Sequence, residues 1–172
     1  MGPVEVVFLV VIVLFGAIGV VRGWQQELGV TTMLLLTLFA ITFLFARDEP
    51  GRLNALFVRI GLSADQIVVA TSLIAVAALL IVTFISYQGL GLAYPGSKKS
   101  NLLSLLVGLI NGYLLAGSLW YYLERAGWPL ADVVPPFSEF YTFFSQILPP
   151  AIFGWQFFIL LAVGMLILRV AK

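Results

Sequence analysis

The sequence predicts an all-α integral membrane protein, a bundle of about five transmembrane helices with short interfacial amphipathic helices, on three observations. Five continuous apolar stretches fill more than half of its 172 residues. Hydrophobic residues make up 62% and charged residues 10%, whereas a soluble domain is roughly 45–50% apolar and about 25% charged. Finally, none of the stretches alternates apolar with polar as the ~10-residue strands of a membrane barrel do, so of the two folds that satisfy the backbone in lipid, the helix remains.

A helix needs about 20 mostly apolar residues to cross a hydrocarbon core of ~30 Å. Val6 to Val21 is the first such segment, and Leu28 to Ala46 the second. The first mimics a secretory leader, but its only early charge is Glu5 and it runs into Arg22-Gly23-Trp24 rather than a small-residue cleavage site, so it is expected to be a retained helix. Residues 47–66 open on the turn signal Arg47-Asp48-Glu49-Pro50-Gly51-Arg52 and then place Leu53, Leu56, Phe57 and Ile60 at helical spacing, which predicts a short amphipathic helix at the interface.

Ile67 to Tyr87 and Leu102 to Leu123 are the third and fourth spans. Between Pro135-Pro136 and Pro149-Pro150, the stretch Phe137 to Leu148 is too short and polar to span, yet rich in aromatics. Fenced by prolines, it predicts one interfacial helix. Ala151 to Val170 is the fifth span, with Pro149-Pro150 and Gly154 leaving re-entry as its alternative.

Charge sets the expected orientation. The face holding the N-terminus carries Arg47, Arg52, Arg59 and Arg125 among seven acidic side chains, and the opposite face carries Arg22, Lys98, Lys99, Arg169 and Lys172 against Glu27 alone. Cations on short connections near helix ends mark the cytoplasm. The N-terminus is therefore expected outside and the C-terminus in the cytoplasm. A net charge of +1, with no basic run beyond Lys98-Lys99, argues against nucleic acid as a partner.

Cysteine and histidine are both absent. That removes disulfides, thiolate nucleophiles and the usual metal and haem ligands, and no carboxylate pair sits in a span. No catalytic residues, no metal site and no cofactor are expected; Met33 and Met165 are expected to pack rather than ligate.

Three groups of residues stand out. Gly16, Gly19 and Gly23 close the first span, and Ser104, Gly108, Gly112 and Ala116 repeat every four residues along one face of the fourth. Small residues let backbones approach where lipid supplies no hydrophobic drive, so both sets predict a helix-packing interface. Packing of the first span on the fourth is one use, and contact with a second copy or another membrane subunit the alternative. Arg22, Glu27 and Asn111 form the polar group. Arg22 is expected to snorkel and set topology, Glu27 to complement the dipole of the second span, and Asn111 to bond between helices. Trp24, Trp120, Tyr121, Trp128, Phe140 and Phe144 are expected as interfacial anchors, with Tyr94, Tyr122 and Trp155 in the same belts.

The segment Gly19-Val20-Val21-Arg22-Gly23-Trp24-Gln25-Gln26-Glu27 resembles the arginine-glycine-aromatic-x-basic-glutamate signature of the colicin V production (CvpA-like) family. In order, Gly96-Ser97-Lys98-Lys99-Ser100-Asn101 followed by Ser104, Gly108 and Gly112 is similar to that family's third loop and fourth helix, and Val134-Pro135-Pro136-Phe137 to Leu148 to its proline-then-aromatic segment. Gln26, Ser100-Asn101, Ser104 and Asn111 depart from the pattern, and each departure at a charged position removes charge. The resemblance implies a four-helix region over residues 1–148, including the interfacial helix 137–148, with residues 149–172 as an additional C-terminal helix.

It also implies a protein of the bacterial inner membrane linked to colicin V export or envelope maintenance, and no reaction. The composition, with its small-residue seams, leads to a different primary expectation: a non-enzymatic accessory subunit whose partners are membrane lipid and other membrane protein subunits or further copies of itself.

Overall fold

The computed structural model describes residues 3–45, 54–90, 92–95, 100–129, 133, 135 and 137–171. The turn Arg47 to Arg52, the pair Lys98-Lys99 with Gly96-Ser97, and Asp132, Val134, Pro136 and Lys172 lie outside the described residues. All regular structure among the described residues is helical.

Helix α1 (Pro3–Arg22) begins on a proline, whose missing N–H costs nothing in a first turn. It stops at Gly23, where φ is 94°, a left-handed value that suits glycine. Chain reversal is immediate, and α2 (Trp24–Leu44) runs back alongside. Helix α3 (Asn54–Arg59) supplies the short helix expected in the first long connection. A capping box opens α4 (Ala64–Ile85): the Ser63 Oγ accepts from the Gln66 N–H and the Gln66 Oε1 accepts from the Ser63 N–H at 2.9 Å. One π turn, Ser86–Leu90, ends it at Gly89, φ 89°.

After a non-helical stretch at 92–95, α5 (Asn101–Arg125) starts from the cap Ser100. Helix α6 (Glu139–Gln146) starts from Ser138, whose hydroxyl accepts from the Tyr141 N–H at 3.0 Å. The proline-fenced helix is present but covers eight residues rather than the whole of 137–148.

Among the described residues, four helices are long and apolar enough to cross a membrane, α1, α2, α4 and α5. The expected fifth span is corrected. Pro149 and Pro150 start a separate turn, α7 (Pro149–Ile152), Phe153 and Gly154 are extended, and only Trp155–Val170 continues as α8. At 1.5 Å per residue its 16 residues reach ~24 Å, short of a ~30 Å core.

Helix α5 is the hub, packed on α1, α2, α4 and α7, while α8 lies on α2. One end of the bundle gathers the α1/α2 reversal, the end of α4 and the start of α5; the other gathers the ends of α2 and α5, the starts of α1 and α4, and α6. Leu34, Leu38, Ala75, Leu79, Leu114, Leu115, Phe158 and Ala162 fill the centre. A second cluster of Phe8, Ala116, Trp120, Tyr141 and Leu148 seats α6 and α7.

Candidate functional site

The reversal at Gly23 puts the last residue of α1 against the first turn of α2, and this local geometry builds the site. Arg22 Nη1 donates to Glu27 Oε1 at 3.0 Å, and Arg22 Nη2 to the Ser86 carbonyl at 3.3 Å. The guanidinium lies 4.3 Å from the centre of the Tyr87 ring. Glu27 has no exposed surface. Its Oε2 accepts from the Tyr87 hydroxyl at 2.8 Å and from Asn111 Nδ2 at 2.9 Å. Asn111 Nδ2 also donates to the Glu27 carbonyl at 3.0 Å, and Asn111 Oδ1 accepts from the Thr31 hydroxyl at 2.7 Å. Four helical elements therefore meet on one carboxylate.

Burying an ion pair costs several kcal/mol per ion unless geometry and further hydrogen bonds compensate. Here they do. Both carboxylate oxygens are engaged, the amide is bonded at both ends, and the pair is neutral overall. Beside it, the Trp24 N–H, which a helix start gives no intrahelical acceptor, donates to Ser104 Oγ at 2.9 Å.

Two expectations change. Glu27 does not simply face a helix dipole, because the α4 and α5 side chains cover it; and the Arg22 side chain, 19% exposed, is held by Glu27 and Tyr87 instead of snorkelling freely. Asn111, fully buried, makes its bonds to α2. Tyr87 was not singled out from sequence, since nothing local marks a tyrosine sixty residues away from its acceptor.

The small-residue seam closes within the chain. A Cβ on Gly19 would strike the Ser104 carbonyl and come 3.0 Å from the Gly108 Cα, one on Gly108 would strike the Phe15 carbonyl, and one on Gly112 would lie 2.7 Å from the Ile12 Cα. A Cβ on Gly108 would also lie 3.0 Å from the Gly16 Cα, while a Cβ on Gly16 itself would meet the Leu109 and Leu105 side chains. This is backbone-to-backbone packing of α1 on α5. Ala116 continues it into the second cluster, beside Phe8, whereas Gly23 serves as the hinge. The seam is thereby occupied by packing of the first span on the fourth, the first of its two expected uses.

Among the expected anchors, Trp120 is 3% exposed, with Phe8 at 5.4 Å and Tyr141 at 5.0 Å between ring centres, so its ring meets protein rather than headgroups. Phe144 packs on Phe8 at 5.3 Å. Trp24, Tyr121 and Trp128 are half-buried, and Phe140 is exposed. Tyr122 and Tyr94 are buried as well. The Tyr94 hydroxyl donates to the Met165 carbonyl at 2.8 Å and lies 2.8 Å from the Thr32 hydroxyl, pinning α8 to α2.

A smaller polar set holds α6 at the opposite end. Glu5, 1% exposed, accepts from the Ser138 hydroxyl. Tyr141 donates to Glu124 at 2.8 Å and accepts from the Trp128 indole at 3.3 Å. Burial, with the Glu124 carboxylate adding to it, pushes the Tyr141 phenol up to about 12. Glu5 was expected only as a lone early charge.

These features define a protein whose described residues form a helical bundle, with four helices among them able to span a bilayer and a polar cluster at one end of the bundle. Compared with models of protein families, with curated proteins and with solved structures, the chain matches none.

Proposed function

We propose that this chain is a non-enzymatic, multi-pass protein of the bacterial inner membrane, with its N-terminus outside, that serves as an accessory subunit in a larger membrane assembly; the cytoplasmic C-terminus expected from sequence required the fifth crossing that α8 is too short to make. The Arg22–Glu27–Asn111 cluster is the observation that supports it. Both Glu27 oxygens and both ends of the Asn111 amide are engaged in joining α1, α2, α4 and α5, an arrangement suited to holding a shape. With the glycine seam spent on α1 and α5, partner contact falls to the outward faces of α1 (Val7, Val13, Val21) and α8 (Leu160, Ile167, Leu168), all exposed.

Extraction in mild detergent followed by native electrophoresis tests this reading. An assembly well above the 18.8 kDa chain, lost when Leu160 and Leu168 are replaced by Trp, is the expected result; a monomer under every mild condition contradicts it.

A second reading is an export component of the colicin V production type. The buried Glu27 favours it, because ionisable groups inside a membrane are costly and are commonly retained for transport. Glu27→Gln and Asn111→Leu would then abolish export at normal protein levels. Unchanged export in both variants removes the reading.

A further inference from the structure

At the end of the bundle opposite the Glu27 cluster, a cavity of about 480 Å³ opens between the end of α2, α3, the start of α4 and the end of α5. Its wall is divided by chemistry. Phe45, Ile67 and Val68 are apolar; Thr71, Ser72, Tyr122 and Asn54 are polar; Arg125 supplies a cation.

Two polar groups there are left over. The Arg125 guanidinium, held 3.5 Å from the Tyr121 hydroxyl and 5.6 Å from that ring's centre, has no carboxylate partner among the described residues. Asn54 Oδ1 is buried from solvent and accepts no hydrogen bond. A buried acceptor without a donor is destabilising, since it has given up its water and gained no partner. Lining one cavity, the pair asks for one molecule that presents both an anion and an N–H or O–H donor. The site lies where the spanning helices end, and so at headgroup level if those helices cross a bilayer, with Thr71 and Ser72 one turn further along α4 than Ile67 and Val68.

We propose that this cavity binds the headgroup of one membrane glycerophospholipid, the phosphodiester on Arg125, the headgroup ammonium or hydroxyl donor on Asn54 Oδ1, and the start of an acyl chain along Phe45, Ile67 and Val68. Phosphate is bound by guanidinium through parallel charge-assisted hydrogen bonds. A volume of this size suits a headgroup and glycerol, within the ~300–1,000 Å³ of ligand pockets, and leaves the acyl tails in the bilayer. The proposal stands apart from the accessory-subunit reading, since a subunit or an exporter equally could carry it.

Native mass spectrometry of the full chain, released from micelles doped with phosphatidylethanolamine or phosphatidylglycerol, tests it. The wild type should retain one lipid per chain. Arg125→Gln should weaken retention at least tenfold. Asn54→Leu should weaken it and blur the preference for a headgroup with a donor over phosphatidic acid. Val68→Trp, which fills the apolar wall without touching a polar contact, should also displace the lipid, and circular dichroism checks that each variant keeps its helicity. Retention of lipid by Arg125→Gln and Val68→Trp alike overturns the proposal. So does displacement of the lipid by millimolar inorganic phosphate or glycerophosphoethanolamine, which would assign the site to a soluble phosphate.

Discussion

Glu27→Ala is the sharpest perturbation of the fold. It deletes the acceptor of three side-chain hydrogen bonds, from Arg22, Tyr87 and Asn111. Interhelical hydrogen bonds in membrane proteins average about 0.6 kcal/mol, so three independent bonds would cost about 2 kcal/mol. The cost should be greater, because one Asn111 donor loses its acceptor and the Arg22 guanidinium keeps the Ser86 carbonyl but no counter-charge. Removing one partner of a buried ion pair costs about 3–5 kcal/mol, and that is the expected loss. Glu27→Gln keeps the volume and one acceptor oxygen and should cost about 1–3 kcal/mol. Adding Arg22→Gln to it should recover part of the loss, a coupling of about 0.5–3 kcal/mol. Unfolding in bicelles by titrated SDS, followed by circular dichroism, measures all three. A loss below about 1 kcal/mol for Glu27→Ala, no more than one ordinary hydrogen bond, would refute the argument that this carboxylate locks the bundle.

Gly19→Ala should destabilise by about 1–3 kcal/mol as its methyl strikes the Ser104 carbonyl; Gly164→Ala on α8, where a Cβ meets nothing within 4 Å, should be neutral or stabilising in the same titration. Tyr94→Phe removes the hydroxyl that joins Thr32 to Met165, and should cost about 0.5–1.5 kcal/mol and make α8 more open to protease. Because the folded state raises the Tyr141 phenol from its usual 10.0 to about 12, the unfolded chain loses that proton first, and the contribution to stability present below pH 10 declines as pH rises toward 12. Phenolate absorbance of the wild type minus that of Tyr141→Phe should titrate near the upper value, and a midpoint at the ordinary one would mean that α6 is not docked on Glu124.

The long helices were legible because each is a continuous apolar run, and the α1–α5 seam because the four-residue period of Ser104, Gly108, Gly112 and Ala116 is a local pattern. Glu27 was legible as a residue but not as a core group. Its place in a first turn predicts a dipole partner, and only the fold brings Tyr87 and Asn111 over it from sixty and eighty-four residues away. Tyr94 and Trp120 illustrate the same gap. Aromatic residues near span ends suit an interface, yet the chain after α4 folds inward, its Leu92 carbonyl lying where a Cβ on Gly29 would stand, and α6 folds back over Trp120. The fifth span failed for a different reason. Hydropathy counts Ala151 to Val170 as one run, while Pro149, Pro150 and Gly154 break the backbone that the run would need.

Placement of these helices across a bilayer underlies every energetic argument above. The absence of native cysteine allows single cysteines at Ala64, Asn101 and Glu139, exposed residues at helix starts, to be labelled with a membrane-impermeant maleimide in intact spheroplasts. Ala64→Cys and Glu139→Cys should label at once, and Asn101→Cys only after the membrane is permeabilised. Equal labelling of all three before permeabilisation, or recovery of the chain in the aqueous fraction, would contradict a bundle threaded through the membrane.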